Sequence, residues 1–244
     1  MRAIAMIPAR YEATRFPFKL MQPLGDKTVI RHTYDNTFAT GLFDEVLVIT
    51  DSEIIYNEIM NHGGSAVMSK RKHESGSDRI AEAAEDIAAD VILNVQGDEP
   101  FVNKPALAAL LDAFKDPAVR VGSLMKKITE PSLVSNPNIV KVVVDNKMNS
   151  LLFSRSPIPY HRDKEITPEY YEHIGVYGFR KDALMQFTRM PMTPLEQTEK
   201  IECLRYLENG IPLRMVITEE AGVKIDVPED LENARKYLES LKNR

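Results

Sequence analysis

The chain has 244 residues, of which 43% are hydrophobic and 27% are charged. This composition is ordinary for a globular protein, and the chain is long enough to bury a core without disulfides. A formal net charge of −5, with no long run of Lys or Arg, argues against a nucleic-acid partner. The lone Cys203 excludes an intramolecular disulfide and a Cys-rich zinc site, and it indicates a reducing, cytoplasmic setting. No stretch reaches the roughly 20 apolar residues that span a bilayer, and the first apolar run is too short for a secretory signal.

The first half of the chain alternates short β-rich runs with helical patterns. Apolar runs predict buried strands at 3–8, 45–50 and 91–95, and further strands at 65–68 and 121–125. Apolar spacing and capping residues predict helices at 28–40, from about 52 to the glycines at 63 and 64, at 78–88 and at 105–114. Such alternation predicts an α/β fold, in which a mostly parallel sheet carries helices on both faces.

The second half has a different pattern. It predicts strands at 139–144, 150–153, 173–179 and 213–217, a helix at 194–208 that ends at Asn209-Gly210, and a charged helix from Pro228 onward. We expect a single domain over residues 1–244, with a smaller β-rich lobe inserted at about 130–190.

Three cations follow the first predicted strand within ten residues. The loop that carries Arg10, Arg15 and Lys19 begins directly after Ala9, at the carboxyl end of a predicted parallel strand, where open α/β sheets bind ligands. Arginine forms bidentate contacts with phosphate, and lysine supplies a mobile point charge. We therefore expect this loop to hold a triphosphate. A solvated loop is the alternative. The sequence contains neither a P-loop nor a dinucleotide-binding glycine motif.

Two aspartates are candidate ligands for Mg²⁺, which prefers carboxylate oxygens combined with substrate phosphates. Asp98 follows the strand at 91–95, and Gly97 beside it would let the backbone approach a ligand closely. Asp226 precedes a helix that starts with Pro228. Taken alone, Asp226 is better explained as the cap of that helix, and Asp98 fits a turn as well as it fits a metal site.

A fourth candidate is the segment from His73 to Arg79, which carries small polar residues, one glycine and one arginine before a helix. Its backbone and hydroxyl groups suit the recognition of a base or a ribose. Ser77 or Asp78 as a plain helix cap explains the segment equally well.

Together these motifs resemble the 3-deoxy-manno-octulosonate cytidylyltransferases. The resemblance runs over nearly the whole chain in the same order. Its motifs are Ile7-Pro8-Ala9-Arg10-Tyr11, Ser75-Gly76-Ser77-Asp78-Arg79-Ile80, Val95-Gln96-Gly97-Asp98-Glu99-Pro100, Phe153-Ser154-Arg155-Ser156-Pro157-Ile158-Pro159-Tyr160, His173-Ile174-Gly175-Val176-Tyr177 and Leu207-Glu208-Asn209-Gly210. Each motif is weak alone, but the ordered set is specific.

The resemblance implies a Rossmann-like sheet of the nucleotide-diphospho-sugar transferase type. It also implies an enzyme that makes CMP-Kdo and pyrophosphate from CTP and the sugar acid Kdo, for lipopolysaccharide synthesis. By this resemblance Asp98 and Asp226 hold Mg²⁺, and Arg10 and Lys19 act in catalysis. The nucleotide site would comprise Ala9, Arg10, Arg15, Lys19, Ser75, Arg79 and Asp98, and the sugar site Gln96, Arg162, His173, Tyr177 and Glu202. The resemblance further implies a homodimer to which the β-rich lobe contributes.

The sequence departs from the family pattern at three places. Phe18 stands where the family has a glycine before the lysine, Lys224-Ile225 changes the neighbours of Asp226, and Cys203 replaces a glutamine. The last change leaves the substrate open between Kdo, its 8-amino analogue and another 2-keto sugar acid. A non-catalytic CTP-binding protein is the alternative from a different class.

Overall fold

The computed structural model describes residues 1–12, 16–71, 73, 75–219 and 222–242. The chain forms two compact units, the first comprising Met1–Lys104 with Gly222–Arg244 and the second Pro105–Ala221. None of the helices found in these described ranges is both long enough and apolar enough to cross a membrane.

The first unit is built on a parallel sheet. Its elements in chain order are β1 (Ala3–Ala9), a 3-10 turn (Lys19–Met21), β2 (Pro23–Leu24), β3 (Lys27–Thr28), α1 (Val29–Ala39), β4 (Glu45–Thr50), α2 (Glu53–Met60), β5 (Ala66–Met68), α3 (Gly76–Glu85) and β6 (Val91–Asn94). Strand β1 pairs in parallel with β4 on one side and β6 on the other, and β4 pairs in parallel with β5. Because β1 and β6 run in the same direction, their carboxyl ends lie at the same edge of the sheet.

The predicted strands of this unit are present, and the three expected to be buried, β1, β4 and β6, are buried. Ile4, Met6 and Ile7 of β1 are fully inaccessible to solvent. Helix α3 begins two residues earlier than predicted. Ser75 caps it, since the Ser75 hydroxyl accepts a hydrogen bond from the backbone N–H of Asp78, so the predicted cap at residue 77 or 78 is wrong.

The second unit combines parallel and antiparallel pairing. It contains α4 (Lys104–Ala113), β7 (Val121–Lys127), α5 (Pro131–Val134), β8 (Lys141–Val144), β9 (Ser150–Ser154), β10 (Tyr171–Arg180), α6 (Lys181–Phe187), α7 (Pro194–Glu199), α8 (Leu204–Glu208) and β11 (Arg214–Ile217). Strand β7 pairs in parallel with β11 and antiparallel with β10, while β8 lies antiparallel to both β10 and β9. This is the expected α/β fold with a more β-rich second part. The second compact unit starts earlier than the lobe predicted at about 130–190. The roles expected of that lobe, in sugar binding and dimerisation, stay predictions.

One predicted helix is two helices. The pattern at 194–208 is continuous in sequence, but α7 ends at Glu199, because the next residue, Lys200, has a left-handed φ of 54° and cannot continue a right-handed helix. Helix α6 was not predicted. The last helix, α9 (Pro228–Lys242), belongs to the first unit, where Tyr237 packs edge-on against Phe101 with ring centroids 4.7 Å apart.

A buried lysine ties three segments of the second unit together. Lys141 is fully buried, and its Nζ donates to the backbone carbonyls of Asn136, Ile139 and Arg155 at 2.9, 2.5 and 2.6 Å. Burial lowers the pKa of this amine, although the nearby Glu199 opposes the effect. The three carbonyls replace the water that the ammonium gives up on folding.

We expect Lys141→Met to lower the free energy of unfolding by roughly 2–3 kcal/mol, because the carbonyls lose a charged donor and stay buried. Urea unfolding measures the effect, and Lys147→Met in the exposed turn nearby is the matched control. Equal stability of the two variants would contradict the role given to Lys141.

Candidate functional site

A cavity of about 280 Å³ opens at the carboxyl edge of the sheet in the first unit. Several predicted nucleotide-site residues line it, along with Gln96 from the predicted sugar site: Arg10, Lys19, Arg79, Gln96 and Asp98. They converge because β1 and β6 end side by side, and a ligand is expected at this edge in open α/β sheets. Glu12, which was not predicted, also lines the cavity.

Lys19 joins the two predicted metal ligands. Its Nζ lies 2.5 Å from Oδ2 of Asp98 and 3.0 Å from Oδ1 of Asp226. Asp98 follows β6 and Asp226 precedes α9, and the two segments are tied by a hydrogen bond from the Ile225 N–H to the Asp98 carbonyl at 2.9 Å. Two carboxylates that are far apart in sequence therefore face one cation.

The helix that follows Asp226 draws on a different carboxylate at its start. Asp230 Oδ2 accepts from the N–H groups of Asp226 and Val227 at 2.8 and 3.0 Å. The Asp226 carboxylate instead pairs with two lysines, since Lys224 Nζ lies 3.1 Å from its Oδ2 and Lys19 lies at its Oδ1. These contacts give Asp226 a role in the cluster of charges, which the cap interpretation does not require.

Charge and burial oppose each other in this cluster. Burial acts to raise the pKa of Asp226, but the hydrogen bond from Lys19 and the charges of both lysines hold that pKa below its usual range. Burial and the negative charge of Asp98 raise the pKa of Glu99 to about 7, although Lys224 acts against the shift. Burial would lower the pKa of Lys224, yet Asp98 and Asp226 raise it. Sequence analysis gave Glu99 and Lys224 no role, and only their positions beside the two aspartates signalled one.

Gly97 allows close packing beneath the cavity. A Cβ at this position would lie 3.0 Å from the Pro8 carbonyl oxygen and 3.2 Å from Cδ1 of Ile30. Without a side chain at Gly97, the backbone after β6 packs closely against the backbone at the carboxyl end of β1. It brings Asp98 beside the loop that follows β1.

Arg79 forms part of the cavity wall with its guanidinium already held. Only 1% of the residue is exposed, and its Nη groups donate to Oδ2 of Asp51 at 2.7 Å and to the Ser69 hydroxyl at 3.1 Å. Its buried Nε has no partner in the described part of the chain. Burial acts to raise the pKa of Asp51, but Arg79 lowers it on balance. Asp51 thus orients a predicted nucleotide residue.

The remaining nucleotide predictions fall near the same edge. Ala9 is the buried last residue of β1, and the Nη2 of Arg10 donates to the His73 carbonyl at 3.1 Å. Besides capping α3, the Ser75 hydroxyl lies 2.9 Å from Oδ2 of Asp78. Arg15 lies outside the described residues.

Comparison with known proteins assigns the chain to a family. The model of the family described as "Cytidylyltransferase" matches residues 4–233. The chain belongs to this cytidylyltransferase family. A 3-deoxy-manno-octulosonate cytidylyltransferase of Flavobacterium johnsoniae is 52% identical over 244 residues, covering 99% of this chain and 100% of the relative. One of Christiangramia forsetii is 53% identical over 240 residues, with 97% of both chains covered.

Solved structures agree with this membership. A CMP:2-keto-3-deoxy-manno-octonic acid synthetase complexed with CTP matches with a TM-score of 0.95 at 35% identity, covering 99% of this chain and 100% of that one. A 4-diphosphocytidyl-2C-methyl-D-erythritol synthase from Anaerococcus prevotii matches with a TM-score of 0.63 at 15% identity and 98% coverage of both chains, which shows a shared fold alone.

Four of the five predicted sugar-site residues of this cytidylyltransferase lie in the second unit, the exception being Gln96. His173 and Tyr177 are neighbours on β10, with ring centroids 5.4 Å apart. His173 Nε2 lies 2.9 Å from the Ser123 hydroxyl, and burial lowers the pKa of His173 to about 4. Arg162 is an exposed residue of the irregular segment after β9.

Tyr177 is linked to the position where the family pattern has glutamine. Its hydroxyl is hydrogen-bonded to the buried Cys203 thiol, and the charge of Glu202 acts on both groups. Burial, aided by Glu202, raises the pKa of the Cys203 thiol well above its usual value. The structure therefore brings Tyr177, Glu202 and Cys203 together as one polar group.

The raised pKa of Glu99 predicts a pH-dependent stability. The folded state keeps the Glu99 proton up to about pH 7, whereas the unfolded chain releases it near pH 4.5, so stability from this group falls as pH rises through that window. Relative to the wild type in metal-free buffer, Glu99→Gln should therefore gain roughly 2 kcal/mol between pH 5 and pH 8.

Urea unfolding at the two pH values measures this difference, and Glu239→Gln on the exposed face of α9 is the control. A stability difference between Glu99→Gln and wild type that does not change with pH would show that Glu99 ionises normally in the folded protein.

Proposed function

We propose that this chain transfers the cytidylyl group of CTP to the anomeric hydroxyl of Kdo, giving CMP-Kdo and pyrophosphate for lipopolysaccharide synthesis. The observation that carries this proposal is the Lys19 ammonium held between Asp98 and Asp226 in a cavity that Arg10 also lines. The relatives that bear this activity in their names are more than half identical to the chain over nearly its full length.

The reaction suits a site made of charges. The sugar hydroxyl oxygen attacks the α-phosphorus in line, the bond from that phosphorus to the bridging oxygen breaks so that pyrophosphate leaves, and the hydroxyl proton passes to solvent. Such a transfer needs positioning and neutralisation of charge more than covalent chemistry. Arg10 and Lys19 are placed to neutralise phosphate oxygens, and Cys203 is unsuited as a nucleophile because burial keeps its thiol protonated.

Asp98 and Asp226 are the residues that would hold Mg²⁺. The Lys19 ammonium between them shows that the pair accepts a cation, and their oxygens match the ligand preference of Mg²⁺. No cluster of three or more His, Cys, Asp or Glu side chains suited to a metal occurs among the residues that the structure describes. When bound, the ion would stabilise negative charge on the phosphate oxygens.

Other assignments complete the proposal. Ser75 and Arg79 would recognise the cytidine, with Arg15 adding charge for the triphosphate. The sugar acid would be bound by Gln96, Arg162, His173, Tyr177 and Glu202. The enzyme would act in the cytoplasm, which the lone Cys203 supports. It would be a homodimer, which the family resemblance supports.

Pyrophosphate release tests the function. CTP, UTP and ATP are each offered with Kdo, 8-amino-Kdo or N-acetylneuraminate in the presence of Mg²⁺. We expect turnover with CTP and Kdo, its loss on adding EDTA and its recovery on adding excess Mg²⁺. Turnover with 8-amino-Kdo alone would mean that the substrate is the amino sugar and not Kdo. Cys203, beside Tyr177, would then be a candidate for the residue that selects this sugar. No release with any pair would refute the catalytic proposal.

Replacing either aspartate tests the charge cluster. We expect Asp98→Asn and Asp226→Asn each to lower kcat/KM on the order of 10²–10³-fold, because the Mg²⁺ that would neutralise the phosphate charge loses a carboxylate ligand. The same pyrophosphate assay measures the loss, and Asp112→Asn on the exposed side of α4 is the control. Wild-type turnover by either site variant would show that the pair is not needed.

A further inference from the structure

Phe18 has a backbone conformation that disfavours its residue type. Its φ is 59° and its ψ is 21°, in the left-handed region where a Cβ clashes with the following carbonyl. Glycine, which the related family pattern has at this position, takes that conformation without penalty. Strain of this kind persists only where surrounding contacts impose it, and it concentrates at functional sites. Contacts of the surrounding structure must therefore offset the strain, and the phenylalanine ring makes one of them.

That contact is with Tyr11. The two ring centroids lie 4.6 Å apart with an interplanar angle of 42°, a separation at which aromatic pairs attract. Tyr11 follows Arg10 directly, and Phe18 precedes Lys19 directly. The ring pair thus joins the two ends of one loop, and each ring is covalently next to a cation that lines the cavity.

The strained residue also sets the turn that carries Lys19. The Phe18 carbonyl accepts from the Met21 N–H at 2.9 Å, and the Phe16 carbonyl accepts from the Lys19 N–H at 3.3 Å. Lys19 leaves this turn to reach Asp98 and Asp226. A change in the ring contact is therefore transmitted to Lys19 through a single peptide unit.

We propose that Tyr11 and Phe18 form an aromatic clasp that holds Arg10 and Lys19 at the separation a bound triphosphate requires. Both are positioning residues, since they act through their charged neighbours. The clasp fixes Tyr11 and Phe18 beside their charged neighbours before the nucleotide arrives, so Arg10 and Lys19 lose less conformational entropy on binding. The proposal rests on the function proposed above, because it takes the triphosphate as the ligand of these cations.

Three variants separate ring contact from backbone strain. Phe18→Ala removes the ring and keeps a Cβ, Phe18→Gly removes both, and Tyr11→Ala removes the partner ring. Phe38→Ala is the control, because Phe38 is 65% exposed and stacks on Tyr34 at 6.2 Å on α1. Calorimetric titration with CTP, in the absence of any sugar, gives Kd for each.

We expect each of the three clasp variants to raise Kd for CTP about three- to ten-fold, the range of an aromatic pair. The double variant Tyr11→Ala/Phe18→Ala should show no more than the larger single effect, since either change already breaks the pair. The kcat at saturating CTP should stay within about twofold, because added nucleotide supplies the ordering energy. Phe18→Gly should melt about 2–4 °C above Phe18→Ala while binding CTP equally poorly.

Other outcomes would overturn the clasp. Unchanged Kd in Tyr11→Ala with a loss in Phe18→Ala would mean that the Phe18 ring contacts nucleotide directly. Additive losses in the double variant would mean two independent contacts, and a loss in Phe38→Ala would mean general destabilisation. Wild-type CTP binding without turnover would refute the proposed function and leave the clasp to be judged by Kd. If the enzyme turns over and the three clasp substitutions leave Kd for CTP unchanged, the clasp is refuted and the proposed function stands.

Discussion

The first unit depends on one ammonium group placed between two carboxylates. Asp98 follows β6, and Asp226 lies in the returning segment 222–242. Their carboxylate oxygens lie 2.5 and 3.0 Å from the Lys19 Nζ, and the two negative charges would repel each other without a cation between them. Lys19 supplies that cation. On the proposed function, a nucleotide that drew Lys19 toward its phosphates would leave the two carboxylates free to hold Mg²⁺, so the charges that hold these segments together would also serve the reaction.

Lys224 modifies this balance. It shares Asp226 with Lys19, and its charge opposes the rise in the pKa of Glu99. The cluster of three carboxylates and two lysines has a formal charge of −1 when Glu99 is ionised and zero when it is protonated. Since Glu99 titrates near neutrality, small changes around it alter the charge that a bound metal or phosphate experiences.

Sequence reasoning reached the elements whose pattern is dictated by burial and missed those set by single dihedral angles. The strands β1, β4 and β6 were predictable because covered parallel strands carry continuous apolar runs. The break between α7 and α8 was not, since a left-handed lysine leaves no mark on helical periodicity. Asp98 and Asp226 were recognisable as candidates from their places in the chain, but only the fold shows that one lysine joins them. Phe18 was visible as a departure, while the ring that it contacts depends on loop geometry.

The two units present different chemistry, and this contrast is informative about recognition. The described cavity of the first unit is lined by formal charges, as a triphosphate requires. In the second unit His173 is neutral at physiological pH, and burial keeps both Tyr177 and Cys203 protonated. On the proposed assignment, the sugar acid would meet these neutral groups together with the charged Arg162 and Glu202, and a site built to hydrogen-bond a particular hydroxyl strongly rejects a substrate that lacks it. Cys203 offers the Tyr177 hydroxyl a weaker hydrogen-bond partner than the glutamine of the family pattern would, so on that assignment Tyr177 would be held less firmly toward the sugar.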